Sequence, residues 1–224
     1  MLPWIEIDKA RVPGGGELRL KRRGAEFSIM LGSNELMNSR LSGSEETLAS
    51  LACACVAQDR SAVILIGGLG MGFTLRAALQ ALKADARVTI AEIVPELVGW
   101  ARGPLAEIFA GCLDDPRVSV EIADVAKLIR KAGDQYDAIL LDVDNGPDGL
   151  SREENDALYD TAGLAAALAA LKPGGVLAVW SSARDGAFTA RLRRAGFQVE
   201  EKMARAHGKR GAKHTIWLAV RPLA

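Results

Sequence analysis

With 224 residues, 49% apolar and 25% charged, the chain has the composition of a globular protein with one large core and room for a small appendage. Lysine plus arginine and aspartate plus glutamate each total 28, which excludes a globally basic nucleic-acid binder. The balance is uneven, however: residues 1–112 carry 12 basic and 12 acidic side chains, residues 113–182 carry 6 and 13, and residues 183–224 carry 10 and 3.

The first 43 residues read as a small β-meander. Trp4–Ile7 alternates, Gly14-Gly15-Gly16 breaks, Glu17–Leu20 alternates again, and Arg23-Gly24 turns into a strand at Glu26–Met30. Gly32-Ser33-Asn34 is a further turn. From Ser44, read as an N-cap before Glu45 and Glu46, the period becomes helical, with Leu48, Leu51, Ala52 and Cys55 on one face. A βα alternation follows. Strand Ala62–Ile66 leads into helix Gly72–Leu82, strand Arg87–Glu92 into helix Pro95–Phe109, and strand Arg117–Ile122 into helix Val125–Lys131. Strand Tyr136–Leu141 leads through a loop to helix Glu154–Leu171, which Lys172-Pro173-Gly174-Gly175 ends before strand Val176–Trp180. The last elements are helix Gly186–Ala195 and strands near Phe197–Met203 and His214–Val220.

Short apolar strands alternating with helices predict an α/β, Rossmann-like fold, with a mainly parallel seven-stranded sheet covered by helices on both faces. The expected division is a β-domain at 1–43 and a Rossmann-like domain at 44–224. Three cysteines, Cys53, Cys55 and Cys112, point to buried thiols in a reducing compartment rather than a disulfide framework. The two histidines, His207 and His214, have no neighbours at zinc-ligand spacing, so no metal is expected. No apolar run reaches membrane-span length and no signal-peptide pattern opens the chain, so the expectation is a cytoplasmic protein with no membrane partner. The basic segment Arg205–His214 reads as an exposed hairpin turn, with contact to an anionic acceptor as its functional alternative.

In such sheets ligands gather at the carboxyl ends of the strands. Gly68-x-Gly70-x-Gly72, with Met71 between the last two glycines, lets backbone approach a ligand at a helix N-terminus. On its own it also fits any tight βα turn. A strict dinucleotide fingerprint would need glycine where Phe73 stands, and no P-loop lysine follows. Glu92 and Ile93 close the second strand of this series, 20 residues past Gly72, where a carboxylate can hold a ribose diol. Asp124 and Val125 follow the third, where Asp124 either caps the helix or meets an adenine amine. After the fourth comes Asp142-Val143-Asp144-Asn145, an acidic loop that can supply a base or hold a cation. Trp180, ending the fifth, lines an acceptor pocket or caps the core.

These motifs, in this order, resemble the spermidine synthase group, which has the class I S-adenosylmethionine-dependent methyltransferase fold. The resemblance covers roughly residues 17–182: Gly68–Arg76, Ala91-Glu92-Ile93, Asp115–Val118, Ala123-Asp124, Leu141-Asp142 and Leu171–Gly175 carry it. It implies that Gly68, Gly70, Met71, Gly72, Glu92, Ile93, Asp124 and Val125 bind S-adenosylmethionine or its decarboxylated form. It implies also that Asp142 accepts a proton and that the protein is a homodimer in polyamine biosynthesis; Asp144, in the same acidic loop, is the second catalytic candidate and can hold a cationic acceptor.

Departures from the pattern fall on the acceptor side. The family carries an aspartate where Met71 stands, which would repel the carboxylate of S-adenosylmethionine; Met71 removes that selection. The family's Tyr-His-Glu cluster falls on Ser44-Glu45-Glu46, keeping Glu46; its glutamine falls near Glu35, and its second loop aspartate on Asn145. Glu35, Glu46, Asn145 and Trp180 are therefore the expected acceptor contacts. The sequence reading puts methyl transfer to a small, cationic acceptor ahead of aminopropyl transfer. A non-catalytic nucleoside-binding protein and an NAD-linked dehydrogenase are the readings from other classes.

Overall fold

The computed structural model describes residues 2–56, 61–143, 157–207 and 210–223. Four antiparallel strands, β1 (Ile5–Arg11), β2 (Glu17–Arg23), β3 (Glu26–Leu31) and β4 (Asn34–Asn38), form a sheet in sequence order. The last of these lies where only a turn was expected. A turn at Gly32 reverses the chain, and Leu31 then pairs with Asn34, so a new strand follows at once. Helix α1 (Gly43–Ala54) starts just before the expected Ser44 cap; Ser42 is the flanking residue, and the Ser44 hydroxyl is hydrogen-bonded to Glu45 instead.

The second sheet contains β5 (Val63–Gly67), β6 (Arg87–Glu92), β7 (Val118–Ile122), β8 (Tyr136–Leu141), β9 (Leu171–Ser181), β10 (Gln198–His207) and β11 (Arg210–Val220). Their order is β10-β11-β9-β8-β5-β6-β7, with β11 antiparallel to both neighbours and the remaining pairs parallel. Strand order reverses between β5 and β8, and the switch opens a crevice above their carboxyl ends. Strands β5 and β8 are almost wholly buried, as expected of parallel strands covered on both faces.

Helices α2 (Phe73–Ala81), α3 (Pro95–Arg102) and the short α4 (Ala106–Phe109) pack with α1 on one face. On the other lie α5 (Val125–Lys131), α6 (Thr161–Ala170) and α7 (Gly186–Arg194). The single helix expected over Pro95–Phe109 is two, because Pro104 cannot donate to the ladder and Gly103 ends the first. The helix expected over Glu154–Leu171 is likewise interrupted: residues 157–159 are helical, and Asp160 then caps α6 by accepting the Gly163 N–H at 2.7 Å. Strands β10 and β11 run through most of the basic segment expected as a turn, pairing Arg205 with Lys213. Of the cysteines, Cys53 and Cys112 are buried, whereas Cys55, at the end of α1, is exposed.

The small sheet sits on the same side as α1 to α3. Leu18, Leu20, Phe27 and Ile29 join the core of that face, and the Trp100 indole on α3 donates to Asp8 on β1 at 2.8 Å. Burial of these four side chains contributes about 1.5–3 kcal/mol each, enough to hold the meander over the strand ends.

Candidate active site

Two clefts meet at the carboxyl ends of β5, β6 and β8. The first, about 850 Å³ and open to solvent, is lined below by Gly68, Gly70, Glu92, Ile93, Asp124, Val125, Asp142 and Val143. Val12, Leu18, Leu31, Leu36 and Met37 of the small sheet roof it. The second, about 630 Å³, is bounded by Glu45, Met71, Gly72, Phe73, Thr74 and Trp180. Gly70, Leu36, Met37 and Asp142 belong to both.

Glu92 ends β6 with its carboxylate buried. Oε2 accepts the Leu69 N–H at 2.9 Å and Oε1 accepts the Val94 N–H at 2.8 Å, so the side chain fixes the glycine turn and the start of α3 together. A carboxylate has about four lone-pair sites, so this one keeps acceptor capacity for a diol. Burial pushes the Glu92 carboxyl upward, and the backbone N–H groups of Leu69, Val94 and Ile93 oppose that rise. Asp124 caps α5, with Oδ1 accepting the Ala126 N–H at 2.8 Å, and it also lines the first cleft. The cap and ligand readings are therefore compatible, since Oδ2 is left for another donor.

The glycine turn is shaped for close approach. Gly70 has φ +51°, and a side chain there would point at the Met37 sulfur. Gly72 has φ +79° and abuts the Phe109 ring so closely that an added Cβ would lie 2.6 Å from it. Both values fall in the left-handed region that favours glycine.

Asp142, first residue past β8, is the ionisable side chain among the residues that line both clefts. Its Oδ2 accepts the Thr74 hydroxyl at 2.6 Å. Removal from water raises its carboxyl to about 7, the Glu45 carboxylate adds to the rise, and the Thr74 hydrogen bond opposes it. A carboxylic acid poised near neutrality at the junction of two clefts is suited to proton transfer.

The acceptor-side expectations fare differently. Trp180 lines the second cleft, as do Met71 and Gly72, which were expected at the cofactor. Glu46 is exposed and borders neither cleft; its neighbour Glu45 faces the second. One residue along α1 is a rotation of roughly 100°, so the register of the helix decides which carboxylate points inward. Glu35 is also exposed, held by Ser28 at 2.9 Å, Asn38 at 2.7 Å and Arg40 at 3.6 Å. Asp144 and Asn145 lie outside the described residues. Glu45, Thr74 and the apolar roof were not singled out. Thr74 stood inside the quoted glycine segment, but nothing in the sequence ties it to Asp142, 68 positions away.

Comparison with known proteins bears on the family and the fold. The profile of the spermine/spermidine synthase domain matches residues 42–184. A polyamine aminopropyltransferase of Sulfolobus acidocaldarius is 35% identical over 86 residues, which is 38% of this chain and 28% of that protein. Polyamine aminopropyltransferase 1 of Streptomyces coelicolor is 36% identical over 104 residues, 46% of this chain and 19% of that protein. The chain thus matches well under a third of either relative's length. In overall fold it is similar to the spermidine synthase of Thermotoga maritima, with a TM-score of 0.74 at 18% identity over 98% of this chain and 73% of that one. Human methyltransferase-like protein 13, solved with S-adenosylhomocysteine, is more distant, with a TM-score of 0.56 at 19% identity over 77% of this chain and 78% of that one.

Proposed function

The chain belongs to the spermine/spermidine synthase domain family, and from that premise we propose that it transfers an aminopropyl group from decarboxylated S-adenosylmethionine to an amine. The observation that carries this reading is Asp142, a partly buried carboxyl raised to about 7 and placed where the cleft lined by Glu92 and Asp124 meets a second, partly acidic one. Sequence alone favoured methyl transfer. The polyamine aminopropyltransferases among the relatives support aminopropyl transfer instead.

A sulfonium donor supplies an electrophilic carbon beside its positively charged sulfur. The first cleft fits its nucleoside half: Glu92 offers lone pairs to a ribose diol, Asp124 offers Oδ2 to an adenine amine, and Leu36 and Met37 cover the base side with apolar surface. Gly70 leaves room where the two clefts join. Asp142, when ionised, accepts the proton that an attacking amine must lose, and the Thr74 hydroxyl holds that carboxylate in one orientation. Positioning supplies most of the acceleration in such a displacement, since donor carbon and amine need only be held in line and in contact.

A second reading, methyl transfer from S-adenosylmethionine, is favoured by one observation. Met71 is buried and lines the second cleft with an apolar group where the family carries an aspartate, so nothing at that position opposes a donor carboxylate.

Incubation with each donor and a set of amines, followed by mass spectrometry, tests the proposal. Methylthioadenosine from the decarboxylated donor is expected. Adenosylhomocysteine from S-adenosylmethionine alone would establish the second reading, and binding of neither donor in a calorimetric titration would overturn both.

A further inference from the structure

One wall of the second cleft is built from residues in which this chain departs from the family pattern. Glu45, in the first turn of α1, lines this cleft together with Asp142 and adds to the rise of its carboxyl; burial pushes the His214 imidazole on β11 down, and Glu45 is close enough to oppose that fall. The imidazole of His214 lies against the indole of Trp180, with ring centres 4.8 Å apart and planes tilted by 30°. Trp180 Nε1 and His214 Nδ1 are buried without a hydrogen-bond partner among the described residues, so ring contact rather than hydrogen bonding fixes the pair. The start of α1 is seated on β10: a side-chain carbon at Gly43 would come within 2.8 Å of the Arg205 carbonyl oxygen. Glu45 and the Trp180–His214 pair are thereby held against one cleft from three elements.

We propose that Glu45 and Trp180 form the acceptor-recognition wall of this protein, binding the acceptor as an ammonium ion, with His214 as the residue that positions Trp180. The inference rests on the aminopropyl-transfer reading for its substrate class. A carboxylate beside an indole is a favourable pairing for an organic cation: the carboxylate supplies charge, and the ring face adds a cation–π contact. His214 lies behind the ring, so its part is geometric.

The test starts from calorimetric titration of wild type with decarboxylated S-adenosylmethionine, then measures KM and kcat for putrescine and for 2-phenylethylamine, and titrates both amines into the methylthioadenosine-saturated protein. Glu45→Gln and Trp180→Leu are expected to weaken amine binding at least tenfold while donor binding stays within twofold, which also shows that each variant is folded. His214→Ala is expected to raise KM severalfold at unchanged kcat, and His214→Phe, which keeps a flat ring, to restore it. Failure of wild type to bind the donor sinks the aminopropyl-transfer reading itself. Donor binding with no bound amine, or with Glu45→Gln indistinguishable from wild type, overturns the recognition wall and leaves that reading standing. Lack of rescue by His214→Phe overturns the positioning role.

Discussion

The Thr74 hydroxyl donates to Asp142 Oδ2 at 2.6 Å, joining the first turn of α2 to the end of β8 across the switch point of the sheet. That hydrogen bond stabilises the ionised carboxylate and holds its pKa down against burial and the nearby Glu45, leaving it at about 7. A hydrogen bond to a charged group contributes about 1.5–3 kcal/mol, equivalent to roughly one to two pH units. Thr74→Val removes the donor at nearly constant volume. The acid limb of kcat/KM against pH is expected to move upward by that amount, so activity falls at pH 7 and recovers toward pH 9. Thr74→Ser is expected to keep the limb in place. An unmoved limb in Thr74→Val would show that Asp142 is not the group being titrated.

The same carboxyl gives a stability prediction of definite sign. In the unfolded chain Asp142 titrates near 3.8, and in the folded protein near 7. Between those values the folded state holds a proton that the unfolded state has released, so stability decreases as pH rises from about 4 to about 7 and is level above. The loss is on the order of a few kcal/mol. Asp142→Asn abolishes the titration while its amide oxygen still accepts from Thr74. It is expected to be more stable than wild type at pH 8, equal or less stable at pH 4, and inactive, as measured by thermal unfolding at the two pH values.

How far these relationships were legible beforehand depended on sequence distance. Glu92, Asp124 and Asp142 each stand at or just past the end of a strand, and a parallel sheet lines up strand ends whatever their separation in the chain, so the strand–helix alternation alone placed them together. Glu45 and Glu46 could not be told apart in that way. Their orientation depends on how α1 packs against α2 and β10, which is tertiary information. His214 was similarly hidden, because its approach to Trp180 follows from the antiparallel insertion of β11 beside β9, with Trp180 opposite Ile216. The roof over the first cleft required the docking of the small sheet, secured through Leu18 and the Asp8–Trp100 contact, and neither residue type announces a ligand.

Glu92 carries two loads, and a conservative change should separate them. Glu92→Gln has only one oxygen for the two N–H donors of Leu69 and Val94 and leaves one buried donor facing an amide NH₂. The expected loss is about 1–3 kcal/mol of stability. Hydrogen bonds from a ribose diol to the carboxylate are charge-assisted, and their loss is expected to weaken methylthioadenosine binding by roughly 10- to 100-fold. Calorimetry with methylthioadenosine and its 2′-deoxy counterpart checks the assignment. Wild type is expected to prefer the ribose form, and the variant to discriminate much less. Equal preference in both proteins would move the ribose away from Glu92.

Met71 is the residue on which the choice of donor turns. Its side chain is 3% exposed and lines the second cleft, between the glycines that shape the turn and Phe73 at the start of α2. An apolar thioether there neither repels the carboxylate of S-adenosylmethionine nor attracts the amine of the decarboxylated donor, so wild type is expected to discriminate weakly between the two. Met71→Asp introduces a charge into the wall of the cleft that Met71 lines; at an effective dielectric constant of about 20, two unit charges at 4 Å interact by about 4 kcal/mol. The tail of S-adenosylmethionine carries a carboxylate beside its ammonium, whereas the decarboxylated tail is an ammonium alone, so the new charge attracts the second tail without the repulsion that offsets its attraction for the first. Calorimetric titration of both donors into the variant is expected to show at least a tenfold shift in relative affinity toward the decarboxylated donor. The new carboxylate lies in an already acidic cleft, so it should also push the Asp142 titration above 7, visible as an upward-shifted acid limb. A variant whose donor preference stays as in wild type, with the fold intact by circular dichroism, would mean that the donor's tail does not pass Met71 and that selection is made by another part of the cleft.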